Sequence, residues 1–171
     1  FFLPPITFSA DGRYLALSGS VGPGIDYCPQ PTCAGWLHLW DLRSGERIAA
    51  ADGSMARVMS TVFSRDSRYL ISGHADGSIV VRTTADFEVV GRFRCCSATW
   101  IRALALSPDE QVLAIGAQSG ELVLWNIAEA IANRGAVHVS RALKGHVFGI
   151  SSLVFEAAGD HLISSADDQH V

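Results

Sequence analysis

The 171-residue sequence predicts an all-β fold assembled from a repeated antiparallel meander. Three observations carry that prediction: one motif returns along the chain, its apolar residues alternate over runs too short for helices, and tight-turn residues separate the runs at a fixed place. The copies are ITFSADGRYLAL from Ile6, TVFSRDSRYLIS from Thr61, LALSPDEQVLAI from Leu104 and LVFEAAGDHLIS from Leu153.

The leucine late in each copy serves as a ruler: Leu15, Leu70, Leu113 and Leu162 lie 55, 43 and 49 residues apart. A second element keeps its own phase, with GWLHLW from Gly35, GSIVVR from Gly77 and GELVLW from Gly120 spaced by 42 and 43. Both rulers point to one period, inside the ~40 to 45 residues of a four-stranded propeller blade.

Taken in order, each copy supplies the first two strands of a unit, with Asp11-Gly12, Asp66-Ser67, Pro108-Asp109 or Gly159-Asp160 closing the turn between them. Such residues close turns by fixing φ or by bonding their own backbone. Alternation such as Leu37 and Leu39 around His38, or the continuous Ile79-Val80-Val81, then gives a third strand buried on one or both faces. The units run over about 1–52, 53–95, 96–144 and 145–171.

The irregular spacings mark insertions. Leu15 to Gly35 takes 20 residues where Leu70 to Gly77 takes 7, so unit one carries a Gly- and Pro-rich loop over 19–34, between its second and third strands. In unit three, IAEAIAN is read as one or two helical turns over 127–133 before a last strand near VHVSRAL, and this insertion emerges at the opposite end of the blade. Unit four stops at the start of its third strand. The expected architecture is therefore an incomplete propeller, an open arc belonging to a longer polypeptide.

Composition narrows the function classes. An apolar content of 49% is that of a packed domain. The formal charge is −4, with 13 Lys plus Arg spread along the chain, which gives no electrostatic footprint for a nucleic acid. No run approaches the ~18 apolar residues of a membrane span, and the opening FFLPP lacks a basic leader, so neither insertion nor secretion is expected. Four cysteines in a chain that is not Cys-dense favour reduced thiols inside a cell, although Cys28 and Cys33 are spaced for a local disulfide.

Candidate chemistry is thin. GSVGPG (Gly19 to Gly24) has neither a Gly-Lys-Ser/Thr ending nor a following helix, and reads as a loop and not as a phosphate cradle. Cys28 and Cys33 offer two metal ligands where a structural zinc needs about four. Cys95 and Cys96 read as small buried hydrophobes at a connection between blades. No nucleophile elbow is present. No catalytic residue, cofactor or metal is expected.

With Trp40-Asp41 and Trp125-Asn126 ending third strands and Gly145-His146 entering the fourth unit, nearly the whole chain resembles the WD-repeat β-propeller family. The resemblance implies four-stranded antiparallel blades around an axis. It also implies a buried hydrogen-bonded chain of His, Ser or Thr, Asp and Trp within a blade, a structural device and not an acid/base pair. On this sequence the matching positions are His146, Ser164 and Asp168 in unit four, Ser72 and Asp76 in unit two, and Trp40 and Trp125 in units one and three. Arg82 stands where unit two would have its Trp, and Ile115 where unit three would have its Ser, so no set of four is complete.

Function is then expected on the loops entering each blade, the face such proteins most often present to partners. Arg57 and Trp100 occupy equivalent positions there, Phe148 lies one position earlier in its unit, and the insertion with Tyr27 rises from the same face. Arg and aromatic residues are the usual interface anchors. The alternative is that Trp100 and Phe148 pack between blades. The resemblance implies a non-enzymatic scaffold binding other proteins of a larger complex, intracellular and either cytoplasmic or cytoskeleton-associated. The rival reading is a propeller enzyme or ligand binder with polar groups converging on the central channel.

Overall fold

The computed structural model describes residues 5–20, 34–96, 99–127, 129 and 139–168. The first sheet holds β1 (Ile6–Phe8), β2 (Tyr14–Ser20), β3 (Ala34–Asp41) and β4 (Glu46–Ala56). The second holds β5 (Val58–Phe63), β6 (Tyr69–His74), β7 (Ser78–Thr83) and β8 (Val89–Arg94). In the third are β9 (Ile101–Leu106), β10 (Val112–Ala117), β11 (Leu122–Asn126) and β12 (Val139–Leu143), and in the fourth β13 (Ile150–Phe155) and β14 (Leu162–Ala166). Each sheet is an antiparallel meander in sequence order, and the first strands β1, β5, β9 and β13 lie next to one another along the arc.

Local chemistry explains the turns between first and second strands. The Ser9, Ser64 and Ser107 hydroxyls donate to Asp11, Asp66 and Asp109 at 2.6, 2.6 and 2.5 Å. Each Asp also accepts the backbone N–H two residues on, from Arg13, Arg68 or Gln111, while the same Ser oxygens accept the N–H of Tyr14, Tyr69 and Val112. Led by the Ser hydroxyl, these bonds hold the three carboxyls below the usual carboxylate range. The next position is left-handed in every copy: Gly12, Ser67, Glu110 and Gly159 have φ of 68°, 60°, 59° and 84°. Two of the four therefore carry a side chain where glycine would be unstrained.

Packing follows strand by strand. β3 alternates half-buried and buried residues, whereas Ser78 to Arg82 of β7 are buried throughout, as expected for strands covered on one face and on both. Tyr14, Leu37, Leu39, Val58 and Leu70 fill the space between the first and second sheets. Ile71, Val81, Phe93, Leu113, Ile115 and Trp125 fill the next, with the Phe93 and Trp125 rings edge to face at 5.9 Å. Ala105, Ala114, Leu122, Ile150 and Leu153 fill the third. Each fully buried Leu or Ile contributes roughly 1.5–3 kcal/mol.

A glycine on each of two second strands lets the following sheet come close. A Cβ on Gly73 would stand 2.5 Å from Ile101 Cγ2, and one on Gly116 would stand 2.6 Å from Ile150 Cγ2.

The arc is open. Among the described residues β14 pairs with β13 alone, and no strand of the fourth sheet joins the first. The end faces present apolar side chains, with Ile6 and Phe8 60% and 61% exposed at one end and Val154 and Ile163 53% and 50% exposed at the other. The β4 strand runs to Ala56, beyond the boundary near 52 read from the repeat. Most of the 19–34 loop, including Tyr27, Cys28 and Cys33, lies outside the described residues, as does the segment 127–133 apart from Ile127 and Glu129. No described helix is long and apolar enough to cross a membrane.

Candidate functional site

Equivalent backbone bonds define the face where the chain enters each sheet. Ala75 N–H donates to the Arg57 carbonyl at 2.9 Å, Gln118 N–H to Trp100 at 2.9 Å, and Asp167 N–H to Gly149 at 3.0 Å. Arg57, Trp100 and Gly149 are thus the same position in successive units, with Phe148 one residue earlier. Arg57 and Trp100 are half-buried, whereas Phe148 is 59% exposed and its neighbour Val147, which the sequence reading overlooked, is 72% exposed.

The connector carrying Val147 and Phe148 is fastened on both sides. Val147 N–H donates to the Asp168 carboxylate at 3.0 Å. Beneath it lies Gly120 at φ 83°, where a Cβ would meet the His146 carbonyl at 2.8 Å and the Phe148 carbonyl at 3.0 Å. Gln118, bonded through its N–H to Trp100, also has its side-chain amide against Gly149. Trp100 and Phe148 are therefore brought to one neighbourhood, Arg57 lies one sheet away, and Tyr27 is outside the described residues. A groove of about 310 Å³ opens at the start of this connector, lined by Gly120, Leu122, Leu143, Lys144, His146 and Ser164.

Under this face run the buried polar chains. In the fourth sheet His146 Nδ1 lies 3.1 Å from both Asp168 carboxylate oxygens, and its Nε2 is 2.8 Å from Ser164 Oγ. Three members of the implied set are joined there. The second sheet differs: Ser72 Oγ meets His74 Nε2 at 3.0 Å, and His74 Nδ1 reaches the Ala56 carbonyl at 3.0 Å. His74 lies on the second strand itself, two residues after Ser72 and on the same face, so its ring spans from strand to entering loop as His146 does. It is fully buried, and desolvation, ahead of the opposing bond to Ala56, lowers its pKa. Asp76 instead secures the following turn, accepting the Ser78 N–H and hydroxyl at 3.0 and 2.5 Å.

The two Trp positions depart from the implied role. Trp40 and Trp125 are packed, but neither buried indole N–H has a hydrogen-bond partner among the described residues. The physical reason is at the Ser position, which Leu17 and Ile115 occupy and where neither side chain can accept. At the third such site Arg82, 7% exposed, lays its guanidinium 5.0 Å from the Phe87 ring centroid. Burial, then the charge of Arg92, lowers its pKa. Of the Trp-Asp pair, it is Asp41 that makes polar bonds, accepting the Arg43 N–H at 2.8 Å and Arg13 Nε at 2.9 Å.

The cysteines also depart from expectation. Cys95 and Cys96, read above as small reduced hydrophobes, are joined to each other by a disulfide. Neighbouring residues are ordinarily too close for this, with Cα atoms here 3.7 Å apart. The left-handed φ of 57° at Cys96 accompanies the side chains' meeting on one side of the chain.

Antiparallel sheets that each meander in sequence order and pack side by side with their first strands adjacent are the blades that define the class of β-propeller proteins. A family profile described as "WD domain, G-beta repeat" matches residues 45–82, 87–126 and 138–171, and the chain belongs to this family, which generally mediates protein interactions. The matched ranges are framed one strand out of phase with the sheets, so that 45–82 carries β4 and then β5, β6 and nearly all of β7.

Among its relatives, WD repeat-containing protein SL1-17 of Schistosoma mansoni is 27% identical over 133 residues, covering 78% of this chain and 41% of that protein. The human U3 small nucleolar RNA-associated protein 18 homolog is 25% identical over 93% of this chain and 26% of its own length. A guanine nucleotide-binding protein subunit beta of Solanum tuberosum is 28% identical over 68% of the chain and 31% of its own length. The chain thus spans less than half the length of these relatives. In a crystal structure of a mitotic checkpoint complex, one chain matches 98% of this one, over 44% of its own length, with a TM-score of 0.76 at 18% identity, a likeness of fold.

Proposed function

We propose that the chain is part of a non-enzymatic WD-repeat scaffold that holds other proteins in a multi-subunit intracellular assembly, through the face built from Trp100, Val147, Phe148 and Arg57. The observation that carries this reading is the pair Val147 and Phe148, 72% and 59% exposed on a connector fastened by Asp168 and seated on Gly120. Large apolar side chains held in water at fixed positions lose little conformational freedom when a partner covers them. The relatives support an intracellular setting, one being a subunit of a guanine nucleotide-binding protein and another associated with a nucleolar RNA. A cytoplasmic or cytoskeletal address is the finer part of the proposal.

The rival reading needs charged groups converging on the axis. Of the four first strands, only β9 carries a charged residue, Arg102, and its Nη1 is already paired with Asp167 at 2.5 Å. That favours binding over catalysis.

The test compares proteins co-purifying with the wild type and with a Trp100→Ala, Phe148→Ala double variant, identified by mass spectrometry. Loss of roughly 2 kcal/mol or more of interface energy weakens a partner at least about tenfold while circular dichroism and melting stay as in the wild type. An unchanged set of partners sinks the assignment of this face, and unfolding of the variant shows that the two rings are core.

A further inference from the structure

We propose that Cys95 and Cys96 form a thiol–disulfide exchange site, open to a dithiol reductant, in the connector between the second and third sheets. The two residues differ in access. Cys95 is 7% exposed and belongs to the core cluster with Ile71, Ile79, Phe93 and Ile101, whereas Cys96 packs against the edge of that cluster and is half-buried, the more exposed of the two. Cys96 is therefore the sulfur an incoming thiolate reaches, and Cys95 is the leaving group.

The exchange balances without any further reagent. A thiolate of the reductant bonds to Cys96 Sγ while the Cys95–Cys96 bond breaks, and Cys95 departs as a thiolate that takes up a proton. The reductant's second thiol then attacks the mixed disulfide, freeing Cys96 as a thiol and closing the reductant's own disulfide. Two electrons pass from reductant to protein, and an oxidised glutathione pool supplies the reverse reaction.

Position gives the exchange a consequence. Cys95 N–H is bonded to the Gly77 carbonyl at 3.0 Å, which ties it to the second sheet, and Thr99 N–H is bonded to the Cys96 carbonyl at 3.0 Å, immediately before Trp100. Cys96 sits at φ 57°, a region costly for a residue with a side chain. Once the bond to its neighbour opens, nothing covalent keeps Cys96 at that φ, and the Thr99–Cys96 hydrogen bond just before Trp100 is free to change. The proposal goes beyond the scaffold reading and does not depend on it, since both site and consequence lie within this chain.

Trypsin cleavage after Arg94 and Arg102 isolates Cys95 to Arg102, a peptide holding both cysteines and Trp100 and neither Cys28 nor Cys33. The folded protein is equilibrated with oxidised glutathione, then alkylated with iodoacetamide before and after treatment with dithiothreitol. The expected result is no label before and two labels after, with indole fluorescence changing in step in the wild type and not in Trp100→Phe or Cys96→Ser. Two labels before reduction overturn the proposal. So does a peptide that reacts only after the protein is denatured, which would make the link structural. Exchange without any Trp100 signal overturns its stated consequence.

Discussion

Replacing His74 by Phe keeps a ring of similar volume and removes both ring nitrogens from a fully buried position. The Ala56 carbonyl then loses its 3.0 Å partner, while Ser72 Oγ keeps only its 3.3 Å bond to the Val80 carbonyl. Loss of the buried Ser72–His74 bond at about 1 kcal/mol, with a penalty of about 1–3 kcal/mol for the Ala56 carbonyl left without that partner, gives a loss of about 2–4 kcal/mol.

The same residue sets a pH dependence whose sign follows from burial. Desolvation lowers the folded-state pKa of His74 below its ordinary 6.5, so the unfolded chain takes up a proton first as the pH falls. Its contribution is whole above 6.5 and is lost as the pH drops from there toward the folded value, at about 1.4 kcal/mol per pH unit. The lowered carboxyls of Asp66 and Asp109 act in a lower window, below their ordinary 3.8. Urea unfolding of wild type and His74→Phe at pH 7.5 and 5.5 separates the effects: the variant is weaker at the higher pH and flatter between the two. Parallel pH curves, or a variant within about 0.5 kcal/mol of wild type at pH 7.5, would refute the reasoning.

Two further stability changes follow from backbone geometry. Gly73→Ala and Gly116→Ala each place a Cβ within 2.6 Å of the next sheet's isoleucine, so chemical denaturation should show a loss of about 1–3 kcal/mol for either. A loss under about 0.5 kcal/mol would mean that the sheets slide apart freely. Ser67→Gly relieves a left-handed residue and should raise stability by about 0.5–1 kcal/mol in the same assay, the sign being the decisive readout.

The period was legible because alternating leucines and turn residues repeat at fixed phase, and the strand runs Ile101–Leu106 and Ile150–Phe155 could be read to the residue. The turn aspartates were legible for the same reason, but the left-handed backbone at Ser67, Glu110 and Phe87 was not, since nothing in those side chains announces it. His74 escaped because the family pattern places its histidine in the loop, and only the register of β6 shows that a ring two residues past Ser72 reaches the Ser72 hydroxyl and the Ala56 carbonyl. In SGHADG the signal was present as a histidine inside a fully buried strand end. The bond between Cys95 and Cys96 was hidden by the ordinary spacing rule for disulfides, and it becomes visible only with the φ of Cys96 in hand. Arg57 and Trp100 were legible as equivalent positions, and Phe148 as the residue one position earlier in its unit. Val147 was not, being an unremarkable valine until its exposure is seen.

The one-strand offset between the matched repeats and the sheets bears on how such a chain changes length in descent. If the stretch from the start of one matched repeat to the start of the next, 45–86, were excised, β8 would follow β3 directly and take the place that β4 holds. Every remaining sheet would still have its complement of strands. Gain or loss of a period therefore needs no breakpoint at a sheet boundary, and any two cuts one period apart heal equally well. A single cut has the opposite effect, since whichever repeat it ends leaves a sheet waiting for a strand from its neighbour.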